Sequence, residues 1–182
     1  MSATLSMIVR HPIKAIGREE LGSVTLKPGK WLPYDRLWAV AHAKSKLEGT
    51  GWAKKVNFLR GVTDPQLMAV TARLDPVLKS VHLSHPKTGE ITVRPNAADD
   101  TDALLDWLRR IWPDDLPEPT HVYTADNAHL TDVPDPWISL NSTASLTALE
   151  ALAGNDLSPH RFRGNLWIDG LGPWDEKKWI GK

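Results

Sequence analysis

The apolar pattern changes period once along the chain, and that change limits the fold. Up to about residue 94, apolar residues alternate in short runs. Leu5, Met7 and Val9 share one face of 4–10, and Leu37, Ala39 and Ala41 lie opposite Trp38 and Val40 in 36–42. Such alternation marks half-buried strands. From 100 to 112 the spacing turns helical, with Leu104, Leu105, Leu108, Ile111 and Trp112 on one stripe. Further strands are predicted at 21–26, 67–74, 77–84 and 90–94, the last two forming a hairpin around His85-Pro86-Lys87-Thr88-Gly89. Asp100 or Thr101 is expected to cap the helix and Pro113 to stop it. Residues 113–119 read as a linker, followed by a strand at 121–124, a loop at 126–136 and a strand at 137–140. A second helix carries Leu146, Leu149 and Leu152 with Gly154 as C-cap, and a buried strand follows at 165–169. The order predicts a β-rich, mostly antiparallel α+β fold, not a doubly wound sheet.

Composition removes several function classes. The 182 residues can bury a real core. Basic and acidic residues balance at 22 each, which argues against a nucleic-acid binder, whose surface needs a basic excess. With no Cys, a disulfide framework, a Cys-ligated zinc, an iron–sulfur cluster and a Cys nucleophile are excluded within these residues. No run approaches the roughly 20 apolar residues of a membrane span, and 1–10 lacks a secretory pattern, so no membrane partner and a cytoplasmic location are expected. The nucleophile-elbow and phosphate-loop motifs are missing. His82 and His85 are three apart in a strand and face opposite sides, so no shared metal site is expected.

Two segments carry recognisable chemistry. Asn141-Ser142-Thr143-Ala144-Ser145 lies where a strand gives way to a helix, where free backbone N–H groups attract an anion. The same residues also suit a plain helix cap. In Arg161-Phe162-Arg163-Gly164-Asn165, Arg163 and Asn165 are expected on one strand face, where a guanidinium fork and a carboxamide suit a phosphate or a heterocycle edge. An ion pair of Arg163 with Asp169 is the simpler alternative. Lys14 and Arg36 stand at strand ends and could meet at one cleft mouth, or remain solvated charges, with Asp35-Arg36 a surface ion pair.

Taken in order, these segments resemble the MOSC (molybdenum cofactor sulfurase C-terminal) proteins with an N-terminal β-barrel module, a family that includes the mitochondrial amidoxime-reducing component. His11-Pro12-Ile13-Lys14-Ala15 is similar to their Y-P-[IV]-K-S opening, and Asp35-Arg36-Leu37-Trp38-Ala39-Val40 to D-R-x-W-x-V. Ser139 to Leu146 resembles L-S-x-x-S-L, and Arg161 to Gly170 resembles R-F-R-P-N-[IL]-x-[IV]-x-G. Trp174-Asp175-Glu176 and Trp179-Ile180-Gly181 resemble the W-x-E and W-x-G that follow. The resemblance implies a barrel-like module over 1–112, a linker at 113–119 and the beginning of a MOSC domain over 120–182. It implies a pyranopterin molybdenum cofactor, whose phosphate-bearing tail is held by basic side chains and the helix N-terminus. Lys14, Arg36, Arg163 and Asn165 match cofactor-contacting positions, and Ser142 and Ser145 match the hydroxyl segment. Thr143 joins them from its place at the helix start.

The implied function is an oxidoreductase that reduces N-hydroxylated small molecules with electrons from a partner protein. The alternatives are a non-redox carrier of the cofactor or of sulfur, and an inactive fragment. Ala15 replaces the family's Ser and removes a hydroxyl, while Gly164 replaces Pro and is expected to loosen the loop. The family pattern continues past W-x-G to a Cys whose thiolate binds molybdenum. The present chain has none, so it is expected to be a truncated form, without catalytic or metal-ligating residues of its own and inactive as a reductase.

Overall fold

The computed structural model describes residues 2–181. Its strands are β1 (Thr4–Arg10), β2 (Glu19–Leu21), β3 (Trp38–His42), β4 (Thr71–Asp75), β5 (Ser80–His85), β6 (Gly89–Val93), β7 (Pro119–Thr124), β8 (Leu140–Ser142) and β9 (Leu166–Asp169). Its helices are α1 (Gln66–Ala69), α2 (Ala98–Arg109) and α3 (Thr143–Ala153), with 3-10 turns at Lys55–Asn57, Pro159–Phe162 and Asp175–Trp179. The fold is α+β, with more strand than helix.

The strands form three sheets, ordered β2-β1-β9-β8, β3-β7 and β4-β5-β6, and all pairs are antiparallel except β8 with β9. None closes into a barrel among the described residues. The ladder of the largest sheet ends on β2 and β8, each only three residues long. Pairing also crosses the expected 113–119 boundary twice, because β3 pairs with β7 and β1 with β9. Residues 113–118 fold back on the end of α2. There Trp112 Nε1 donates to the Pro117 carbonyl at 3.0 Å, and Arg109 Nη2 to that of Pro119 at 3.1 Å.

β3 is buried on both faces. Trp38 and Val40 enter the larger core with Leu83, Leu104 and Leu108, while Ala39 and Ala41 pack with Phe58 and Leu130. α2 lays its apolar stripe over β6 and β7.

Four elements differ from expectation. The strand predicted at 21–26 lies instead at Glu19–Leu21, and the mostly exposed chain after Gly22 leaves the ladder although β1 runs on to Thr4. The predicted strand at 67–74 begins only at Thr71. Pro65 and Asp64, whose Oδ1 accepts from Gln66 N at 3.0 Å, start the helical turn α1 ahead of it. Neither Asp100 nor Thr101 caps α2, which starts after Ala97; Asp100 Oδ2 instead accepts from Arg94 N and Nε at 2.8 and 2.9 Å, tying the helix to the end of β6. The strand expected at 137–140 lies at Leu140–Ser142, where β9 offers a partner. Gly154 does terminate α3 in the left-handed conformation, with φ 69°.

Candidate functional site

The chain after β1 runs beside the start of β3. Arg36 N donates to the His11 carbonyl at 2.6 Å, and Lys14 N to that of Trp38 at 2.7 Å. Both stretches are held in tight turns, with Ala15 at φ 63° and Arg36 at φ 52°. Asp35 Oδ1 accepts from His11 N at 2.8 Å, and Asp35 Oδ2 pairs with Arg36 Nη1. The Asp35–Arg36 pair is therefore buried, at 3% and 8% exposure, and not the surface pair the sequence suggested. Arg36 Nη2 reaches across to the Arg163 carbonyl at 2.9 Å.

These turns form one wall of a cleft of about 340 Å³. Lys14, Arg36 and Arg163 line it together, with Lys55, Arg60 and Arg161 at its rim. Asp132 is the single carboxylate among its lining residues. Lys14 Nζ donates to Asp132 Oδ1 at 2.8 Å and to the Leu130 carbonyl at 2.7 Å, which fastens the 126–136 loop over the cleft. Burial lowers the Lys14 ammonium below its ordinary value, and the Asp132 contact opposes this. Burial works against ionisation of Asp132 too, but Lys14 and Lys55 hold its carboxyl below the usual range.

Arg163 is not on a strand face beside Asn165 as expected. It ends the Pro159–Phe162 turn in the left-handed conformation, with φ 50°. Nor does it pair with Asp169: its Nη1 faces Met68 Sδ at 3.7 Å, and its Nη2 is shut off from solvent without a partner. Burial, and then the neighbouring Arg36, lower its guanidinium to about 9. Between them Arg36 and Arg163 help keep His11 neutral. Burial is the main cause, and His11 Nε2 is a second buried atom without a partner.

The remaining candidates lie elsewhere. Asn165 is spent on structure: its Nδ2 donates to the Val9 carbonyl at 3.1 Å and its Oδ1 accepts from Ser139 Oγ at 3.2 Å, so it touches the cleft only through Ser139. Ser142 Oγ accepts from Ser145 N at 3.4 Å, so the α3 N-terminus carries a side-chain cap. Thr143 Oγ1 donates to Asp169 Oδ1 at 2.9 Å. Ser145 Oγ lies 2.7 Å from Glu176 Oε1 and accepts from Trp174 N at 2.8 Å. Ser142 and Ser145 line a separate small cavity. At Gly164 a Cβ would come within 1.7 Å of Asn141 Nδ2, so the position as packed has no room for the Pro of the family pattern.

Sequence reasoning missed Lys55, Arg60, Asp132 and His11 as members of this neighbourhood. Only the charge of Lys55 and Arg60, flanking Asn57-Phe58-Leu59, hinted at a basic rim. Among the described residues, no group of three or more His, Cys, Asp or Glu is placed to hold a metal ion, and no helix is long and apolar enough to cross a membrane. No protein-family model, curated protein or solved structure matches the chain.

Proposed function

We propose that this chain binds the phosphate-bearing organic part of a pyranopterin molybdenum cofactor in the cleft of Lys14, Arg36 and Arg163. The observation that carries the proposal is a local charge excess. Six cationic side chains and one carboxylate line the cleft, in a chain whose basic and acidic residues are equal in number. A cleft of one sign with low-dielectric walls concentrates counter-ions of the other.

The donor set suits a phosphate and a heterocycle edge. Lys14 supplies a compact point charge, and Arg36, whose two arms are held by Asp35 and the Arg163 carbonyl, fixes the turn that presents the Arg163 fork. Leu59 and Trp137 give the cleft an apolar side that limits water. Asp132 holds Lys14 in place until a stronger anion competes for it. The open four-stranded sheet would belong to the barrel-type scaffold that the MOSC resemblance implies.

When bound, the cofactor would supply oxygen-atom chemistry at molybdenum, and an electron-donor protein would drive reduction of N-hydroxylated substrates. These residues offer no thiolate for that metal, because the chain has no Cys. The missing thiolate favours a second reading, in which the chain is a non-redox carrier of the cofactor. The test is to express the chain in a host that makes the cofactor, then release and oxidise any bound pterin and read its fluorescence. Near-stoichiometric pterin that is lost in Lys14→Ala supports the proposal. Pterin at background level overturns it. Molybdenum analysis and turnover assays on the same samples separate carrier from oxidoreductase.

A further inference from the structure

A second cavity, of about 700 Å³, abuts the first, and Gly61, Val62, Arg161 and Arg163 line both. Three guanidiniums, Arg18, Arg161 and Arg163, line it with the His160 imidazole, which burial and then Arg18 hold below its ordinary value. Val62, Pro65, Met68 and Ala69 add apolar surface, and Met68 touches two of the guanidiniums, its carbonyl accepting from Arg18 Nη1 and its Sδ lying 3.7 Å from Arg163 Nη1. No carboxylate lines it.

We propose that this chamber is a second small-molecule site, for a phosphate or carboxylate group carried on an apolar body. Its volume lies in the usual range for ligand pockets, roughly 300–1,000 Å³. Part of the polar lining is already ordered. Arg18 Nη1 is pinned by the Met68 and Val70 carbonyls at 2.9 and 3.3 Å, and His160 Nε2 stands 3.1 Å from Glu20 Oε1. Arg161 and Arg163 form no salt bridge among the described residues, although Asp35 and Asp132 lie close enough to act on the Arg163 charge. Anchored guanidinium forks favour flat or tetrahedral oxyanions. A bare inorganic anion would leave the Pro65–Met68–Ala69 surface wet, whereas an aryl or alkyl body would cover it. The inference goes beyond the cofactor proposal and does not need the first cleft to hold a pterin.

The test titrates phenyl phosphate, benzoate and inorganic phosphate separately into the 182-residue chain. Ala69 is exposed and lines only the second chamber of the two, so Ala69→Glu adds an opposing charge there and Ala69→Trp fills the space. Circular dichroism checks that both variants fold. Phenyl phosphate is expected to bind about tenfold more tightly than inorganic phosphate, and each variant to weaken it by about tenfold. Inorganic phosphate binding in the first cleft should change by less than about twofold. Benzoate binding that responds to the same variants would assign a carboxylate, and phenyl phosphate alone a phosphate. Phenyl phosphate that binds no better than inorganic phosphate, or that ignores both variants, overturns the inference. Phenyl phosphate sensitive to Ala69 in a chain whose first cleft binds no phosphate would support the second site and count against the cofactor proposal alone.

Discussion

Arg36 Nη2 donates a 2.9 Å hydrogen bond to the backbone carbonyl of Arg163, so one guanidinium fixes the turn that presents the other. The two are far apart in sequence, and both backbones sit in the left-handed region. With its other arm Arg36 holds Asp35, whose carboxylate also accepts from His11 N. Arg36→Ala would strand a buried carboxylate and free the 163 turn. It should cost about 3–5 kcal/mol, the scale of breaking a buried pair. Arg36→Lys keeps the charge but not the fork, and should fall between Ala and wild type in urea denaturation.

Arg163 should matter to binding but not to stability. Its Nη2 is buried without a partner on a half-buried side chain, so Arg163→Met should leave the free chain as stable as wild type or slightly more so. The same change should abolish phosphate binding, and Arg163→Ala should weaken binding more than Arg163→Lys, which retains a charge. Thermal melts with and without phosphate measure both. Loss of stability in Arg163→Met without ligand would contradict the expectation.

Asp132 competes with any incoming anion for Lys14 and Lys55. Asp132→Asn should raise phosphate affinity by about two- to fivefold, the scale of a half-exposed ion pair. Calorimetric titration checks this, and a drop in affinity would show that Asp132 orders the cleft instead.

Acid should destabilise the protein through His11. Burial, then Arg163 and Arg36, keep its folded pKa well below 6.5. Below that value the unfolded chain takes up a proton that the folded chain refuses. Stability from this group is therefore present at neutral pH and lost as pH falls below about 6.5, at no more than about 1.4 kcal/mol per pH unit. Urea titrations at pH 7.5 and 5.0 should show a steeper acid loss for wild type than for His11→Asn, whose amide replaces the imidazole without titrating.

Ser145→Ala tests whether the hydroxyl segment serves a ligand or the fold. Ser145 Oγ joins Glu176 to Trp174 N, away from the cationic cleft. The variant should lose about 1–2 kcal/mol of stability and leave phosphate binding unchanged.

How much of this was legible depends on how local the cause is. β1, β3, the β5–β6 hairpin and the two long helices follow from side-chain period and from Gly154, signals carried within a dozen residues. β2 leaves β1 at Leu21 although β1 runs on to Thr4, and α1 depends on the single Asp64–Pro65 start, neither visible as a pattern. Lys14, Arg36 and Arg163 were visible as charges at element ends, and the structure brings them together. Ser142 caps α3 through Ser145 N, the local reading the sequence also offered, while Asn165, Thr143 and Ser145 bond to Val9, Asp169 and Glu176, partners that only the tertiary fold supplies.

The central claim is that the cleft of Lys14, Arg36 and Arg163 takes a phosphate group. It is tested most directly by calorimetric titration of inorganic phosphate into the chain and into the Lys14→Gln/Arg163→Gln double variant. Saturable binding to the wild-type chain is predicted, weakening as salt rises and lost in the double variant. An absence of saturable binding at low ionic strength, or equal binding by the double variant, would contradict it.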